Sequence, residues 1–152
     1  MTETIEEARD RETLAHLANL DLQHELRHLR FYTQAGAMVQ SPHRLEFREW
    51  LHEEASDELE HVKQFSTLIA QLGGVPVEEG LPLPVIDYGD IKAILTTIVE
   101  IESEVAERYS MRLRQTENHC NADVSNAHVF YEDQIADSWQ TAQEARLMLS
   151  KF

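Results

Sequence analysis

The chain has 152 residues, 42% of them hydrophobic, and a formal net charge of -15 at pH 7. That length suffices for one domain with a sizeable core, read as residues 1–152, while the acidity excludes direct binding along nucleic-acid phosphates, which needs clustered basic residues. One cysteine, Cys120, excludes an internal disulfide framework; no apolar run is long enough for a membrane span and no basic-then-apolar leader opens the chain, so a cytoplasmic protein is expected.

Five glycines and four prolines punctuate the sequence, three of the prolines within one stretch, so the rest reads as long helices. The first helix is expected from about Asp10 to Val39, with a core stripe of Ala18, Leu22, Leu29, Tyr32, Gly36 and Val39 that Glu25 interrupts. Ser41 is placed to cap and Pro42 to open the second helix, which runs to Leu72 and stops at Gly73-Gly74. Its stripe is Phe47, Leu51, Glu54, Glu58, His61, Phe65, Leu68 and Leu72, so polar groups point where hydrocarbon belongs. Val75 to Gly89, with Pro76, Pro82 and Pro84, reads as a long connection.

The third helix is expected from about Asp90 to His119, with Glu102 on the stripe Ile91, Ile94, Leu95, Ile98, Val105 and Tyr109. Glu100, Glu104 and Glu107 turn outward, Glu104 being placed to pair with Arg108. After a turn at Asn121–Asp123 the fourth helix, capped by Asp123, fills the rest. Its stripe of Val124, His128, Tyr131, Ile135, Ser138, Ala142, Ala145 and Leu149 holds no carboxylate, while Glu132, Gln134 and Asp137 lie on its flanks. Connections in the order short, long, short describe two antiparallel helix pairs joined by a crossover between the second and third helices. This is the all-α, ferritin-like four-helix bundle.

Burying a carboxylate is costly unless something neutralises it, and a metal ion does so. Glu58-x-x-His61 sets a carboxylate and an imidazole one turn apart on an apolar face, and Glu25 and Glu102 interrupt two further core stripes. An exposed Glu-x-x-His pair on a solvated face is the ordinary reading of such spacing, but four coincident interruptions favour metal binding. His16, His24, His28, His43, His52 and His119 read as surface residues, and His128 as a core histidine rather than a ligand. Cys120 reads as a free thiol in a turn.

The segment Leu20 to Tyr32, with His24-Glu25-Leu26 and a tyrosine seven residues beyond the glutamate, resembles the first helix of bacterioferritins and ferritins. Glu54-Ala55-Ser56-Asp57-Glu58-Leu59-Glu60-His61, followed by Leu72-Gly73-Gly74-Val75-Pro76, resembles the second helix of bacterioferritin and its exit. The resemblance implies that Glu25 and His61 bind one iron, that Glu58 bridges to a second, and that Glu102 is a terminal ligand of that second ion. Glu54 would stand behind the ligands as a supporting carboxylate, and Tyr32 would be a nearby phenol.

Three departures qualify the resemblance. Leu59 occupies the position of the haem-ligating methionine, so no haem is expected. A second Glu-x-x-His is expected on the fourth helix, yet Ile135 follows Glu132 where the histidine belongs. The string Phe130 to Asp137 is similar instead to the fourth helix of non-haem ferritins, which makes Gln134, with Asp137, the alternative to Glu132 as the contributor there. The chain ends at Phe152 without a fifth helix, which points to a dimer or a twelve-subunit shell rather than a larger cage. Leu26, Phe31 and Trp50 lie off the core stripes and suggest an apolar face for self-association.

The expected function is oxidation of Fe(II) by O2 or H2O2 at a di-iron carboxylate centre in a homo-oligomer, for iron storage or detoxification. Two alternatives stand beside it: a bundle with a degenerate, one-metal or metal-free site acting in binding or assembly, and a rubrerythrin-like peroxide scavenger, which the lack of a Cys-x-x-Cys pair disfavours.

Overall fold

A computed structural model describes residues 3–117 and 121–152. His119 and Cys120 lie outside the described residues. The fold is all-α, with α1 at Ile5–Met38, α2 at Arg44–Gln71, α3 at Ile91–Thr116 and α4 at Ala122–Leu149. Among the described residues, no helix is long and apolar enough to cross a membrane.

The helix ends depart from expectation for local reasons. α1 begins at Ile5 rather than Asp10 because Thr4 and Glu7 form a reciprocal capping box. Ser41 does not cap α2. Its side chain accepts from the His43 amide and its carbonyl from the Arg44 amide, so Ser41–His43 is a turn and the helix starts at Arg44. The cap of α4 is Asn121, not Asp123, since its side chain accepts from the Val124 amide at 2.9 Å. Gly73, at φ 82°, closes α2, with Gly73 N–H to the Ala70 carbonyl and Gly74 N–H to the Ile69 carbonyl. That paired pattern needs a left-handed residue, which glycine supplies without strain.

α1 packs chiefly on α2 and α3 chiefly on α4. The connection after α2 runs back along the bundle, held where Asn19 donates to the Val75 carbonyl and accepts from the Val77 amide. It reaches the far end of α1 at the Gln40 N–H to Gly89 O bond, so α3 starts where α1 stops and runs parallel to α2.

The apolar interior is split in two. One cluster, around Leu14, Leu22, Phe65, Leu68, Val105 and Tyr131, fills the end where α1 begins. The other, around Phe31, Tyr32, Leu51, Ile94, Leu95 and Ile98, fills the end where α1 stops. Between them the helices present a polar layer. Phe31 is fully buried against Tyr32 and Tyr88, Trp50 packs on the second cluster, and Leu26 lies beneath the crossover at Gly80. Of the three residues expected to form an apolar face, Phe31 is thus interior, while Leu26 and Trp50 are partly buried.

Candidate metal centre

The polar layer is built from three helices. Antiparallel packing of α1 on α2 sets Glu25 level with His61, and one turn further along, His28 level with Glu58. α3 contributes Glu102. Glu25, His28, Glu58, His61 and Glu102 are all buried. Glu25, Glu58 and His61 form one triad and His28, Glu58 and Glu102 a second, the donor atoms within each lying within 4.8 Å of one another.

Glu58 belongs to both triads, one oxygen to each. Its Oε2 is 3.3 Å from His61 Nδ1 and its Oε1 3.8 Å from His28 Nδ1. His61 Nδ1 is also 3.5 Å from Glu25 Oε2, and His28 Nδ1 is 3.4 Å from Glu102 Oε1. The two outer carboxylates are held alike across the bundle: Tyr32 donates to Glu102 Oε1 at 2.7 Å, and Tyr109 donates to Glu25 Oε1. His61 turns its other nitrogen, Nε2, to Asp137 of α4 at 3.2 Å.

Burial, then the Glu58 charge, pushes the Glu25 carboxyl up to about 7. Burial alone would raise Glu58 as well, but its polar contacts with Glu25, His28 and His61 outweigh it and hold Glu58 below its ordinary value. Burial would lower His28, yet the Glu102 and Glu58 carboxylates overcome this and raise it to about 10; His61 is raised against its own burial to about 12 by Glu25 and Glu58. Burial and the adjacent carboxylate charges put Tyr32 and Tyr109 well above their ordinary value, so both remain donors. Two imidazolium ions thus neutralise much of the buried negative charge.

The donor set fits divalent cations better than it fits itself. Glu25 Oε2 and both ring nitrogens of His28 are buried without a hydrogen-bond partner, a costly state for groups that a metal would satisfy. Carboxylate oxygens and imidazole nitrogens suit first-row ions such as iron, manganese and zinc, and the His61–Asp137 contact is the support a metal-bound imidazole usually has.

Of the residues expected from sequence, Glu25, Glu58, His61 and Glu102 come together with Tyr32 beside them. His28 and His24, read as surface residues, are buried. Glu25-x-x-His28 repeats the spacing of Glu58-x-x-His61, a signal that was present. Glu104 points to Arg27 and His24 rather than to Arg108, which instead bonds Asp21. Glu132 faces solvent and pairs with His128. Gln134 is buried but donates to Gln64 across the α2/α4 seam. Neither lines the cleft of about 330 Å³ that opens onto the triads; α4 sends Asp137, Ser138 and Thr141 there, facing Glu54, Glu58 and His61 of α2. Thr141 donates to Glu54, a half-buried carboxyl that burial and the Glu102, Asp57 and Glu58 charges raise to about 7 despite that bond.

A family model described as a ferritin-like domain matches residues 15–152. A ferritin-like diiron-carboxylate protein of Bacillus anthracis str. Ames is similar in structure at TM-score 0.83 and 27% identity, over 92% of this chain and 97% of that one. A dodecameric thioferritin from Bacteroides fragilis superposes at TM-score 0.79 and 19% identity, over 93% and 86%. A Desulfovibrio desulfuricans bacterioferritin with a diiron site superposes at 0.81 and 18%, over 95% and 82%, and at these identities the last two likenesses are of fold. None of the curated proteins matches by sequence.

Proposed function

We propose, from the premise that this chain belongs to the ferritin-like domain family, that it is a ferroxidase whose two buried triads take up a pair of Fe(II) ions as substrate. The observation that carries this reading is Glu58, with one oxygen turned to each triad and an orphaned donor in each: Glu25 Oε2 in the first and His28 in the second. A carboxylate so placed would hold one cation with each oxygen and so keep the two side by side. Two Fe(II) held side by side supply two electrons, which with two protons reduce O2 to H2O2, or H2O2 to two molecules of water, leaving two Fe(III).

The protein's part is binding, orientation and proton release. Tyr109 ties one oxygen of Glu25 and leaves Oε2 to bind, while Tyr32 orients Glu102 through the oxygen that faces His28. Asp137 accepts from His61 Nε2 and so turns Nδ1 inward. His28 and His61 must give up their protons to become ligands. The acidic cleft at Glu54, Asp57, Glu60 and Asp137 draws cations toward the triads. Self-association, as a dimer or a twelve-subunit shell, belongs to this reading, supported by the dodecameric thioferritin of the same fold. Iron storage would follow only within a shell.

Anaerobic titration of the purified chain with Fe(II) should saturate at two ions per chain, and admitting O2 or H2O2 should then oxidise both. Glu58→Ala should abolish rapid oxidation. A second reading is a one-metal, non-catalytic bundle, and the observation favouring it is that the one α4 carboxylate at the cleft, Asp137, is bonded to His61 while Ser138, Gln140 and Thr141 bring no charge. Saturation at one ion without oxidation would select it.

A further inference from the structure

The charge balance of the two triads points to a ligand outside them. Two divalent ions bring four positive charges, and Glu25, Glu58 and Glu102 return three; His28 and His61 are neutral once they ligate. A residual positive charge in a buried layer is unfavourable. α4 adds two hydroxyls, the uncharged Gln140 amide, which donates to Glu144, and Asp137, which is already engaged by His61. Glu60 is exposed beside Lys63 and Asp57 is exposed at the rim. Glu54 remains. It is half-buried in the same cleft and lies one turn from Glu58 on the same face of α2, at the level of Tyr32 and beside the second triad.

Resting on the two-ion reading above, we propose that Glu54 is a ligand of the second metal position, taking the place of the carboxylate α4 lacks, and that Thr141 is the latch that holds it aside until the ion enters. His28 makes that position more than a group of acids: it is buried with no hydrogen bond on either nitrogen, it shares a triad with Glu58 and Glu102, and Glu54 lines the cleft that those two carboxylates also line. Thr141 Oγ1 donates to Glu54 Oε2 at 3.1 Å. The bond is single, near the cleft, and also shared with the Asp137 carbonyl at 3.2 Å, so it orients the carboxylate without committing it. When an ion arrives, a carboxylate–metal bond replaces one hydroxyl hydrogen bond. The second position is then closed by three carboxylates and an imidazole drawn from α1, α2 and α3, with α4 serving as the door.

Co(II) added to the full-length chain tests this by equilibrium dialysis and by its visible d–d absorption, with Glu54→Gln, Thr141→Val and Asp57→Asn compared. The wild type should bind two Co(II). Glu54→Gln should leave the first ion unchanged and weaken the second at least about tenfold. Thr141→Val should hold the second ion as tightly as the wild type or more tightly, because Glu54 is released. Asp57→Asn should change the second ion far less than Glu54→Gln. A Glu54→Gln variant that binds both ions like the wild type overturns the proposal and leaves the two-ion reading standing. Equal weakening in Asp57→Asn and Glu54→Gln also overturns it, since cleft potential rather than ligation would then be the cause. A wild-type chain that binds one ion or none fails the two-ion reading and this inference with it.

Discussion

Asp21 and Glu25 stand one turn apart on α1, both carboxylates and both buried, yet the protein treats them oppositely. Asp21 is saturated by its own chain: Arg108 Nε donates to Oδ1 at 2.8 Å, Arg112 to both oxygens at 2.8 and 3.0 Å, and Tyr131 to Oδ2 at 2.6 Å. Glu25 has the Tyr109 hydroxyl on one oxygen and no hydrogen bond on the other. The two sites are linked through the Tyr109 and Tyr131 rings, 5.3 Å apart. Burial of a charge therefore does not identify a metal site; an unsatisfied donor set does. Asp21 joins α1 to α3 and α4 as a structural cross-link, while Glu25 is held ready for a cation.

Substitution should separate the two roles most sharply at the level of stability. Asp21→Ala leaves Arg112 buried without its partner, which costs about 3–5 kcal/mol and should lower the thermal midpoint of the metal-free chain by about 10 °C or more. Glu25→Gln removes an incompletely satisfied charge, so the metal-free midpoint should hold or rise while the added midpoint from Zn(II) shrinks. Thermal melts with and without Zn(II) read both. A Glu25→Gln chain as unstable as Asp21→Ala would erase the distinction.

A smaller effect is expected from pH. His28 is raised in the folded chain to about 10 by Glu102 and Glu58, against an ordinary value of about 6.5. The folded state therefore binds the extra proton between those limits, and the stability it contributes is complete below about pH 6.5 and is lost progressively toward about pH 10. A metal ion must displace that proton, so Zn(II) affinity should climb as pH rises from about 6 to 8, with proton release measurable in weakly buffered solution. The metal-free chain should weaken over the same range in which the loaded chain gains. Zn(II) affinity independent of pH would show that neither imidazole ligates.

The bundle was legible because its helices are long, their stripes regular and their breaks confined to two short turns and one proline-bearing crossover. Glu25, Glu58, His61 and Glu102 were legible because each replaces hydrocarbon on a stripe. His28 was not, since Leu29 fitted the four-residue step from Glu25 better, although the interior face at mid-bundle is wide enough for both. Asp21 and its arginines were missed because neither partner interrupts the stripe alone; the matched i, i+4 steps Asp21/Glu25 on α1 and Arg108/Arg112 on α3 were the available sign. On α4 the sequence was half legible. Asp137, on the flank of the stripe, does reach His61, whereas Glu132 and Gln134 turn toward solvent and α2; Thr141 carries no charge and gives no sign of its own.

Glu132 and Gln134 give the smallest expected effects. Glu132 is exposed and pairs with His128, so Glu132→Ala should shift stability by about 0.5 kcal/mol or less and leave two-ion binding intact. Gln134 is buried, with its amide on Gln64 and its carbonyl oxygen unpartnered. Gln134→Ala should cost about 1 kcal/mol by losing that bond and some packing, again without loss of an ion, because Gln134 lies outside the cleft that opens onto the triads. Asp137→Ala, by contrast, should weaken the first ion by freeing His61 to rotate, since Asp137 Oδ2 accepts from its Nε2. Zn(II) titrations of the three variants order them. A lost ion in Glu132→Ala or Gln134→Ala would place the α4 contribution two turns earlier and require the helix to shift its register when metal binds.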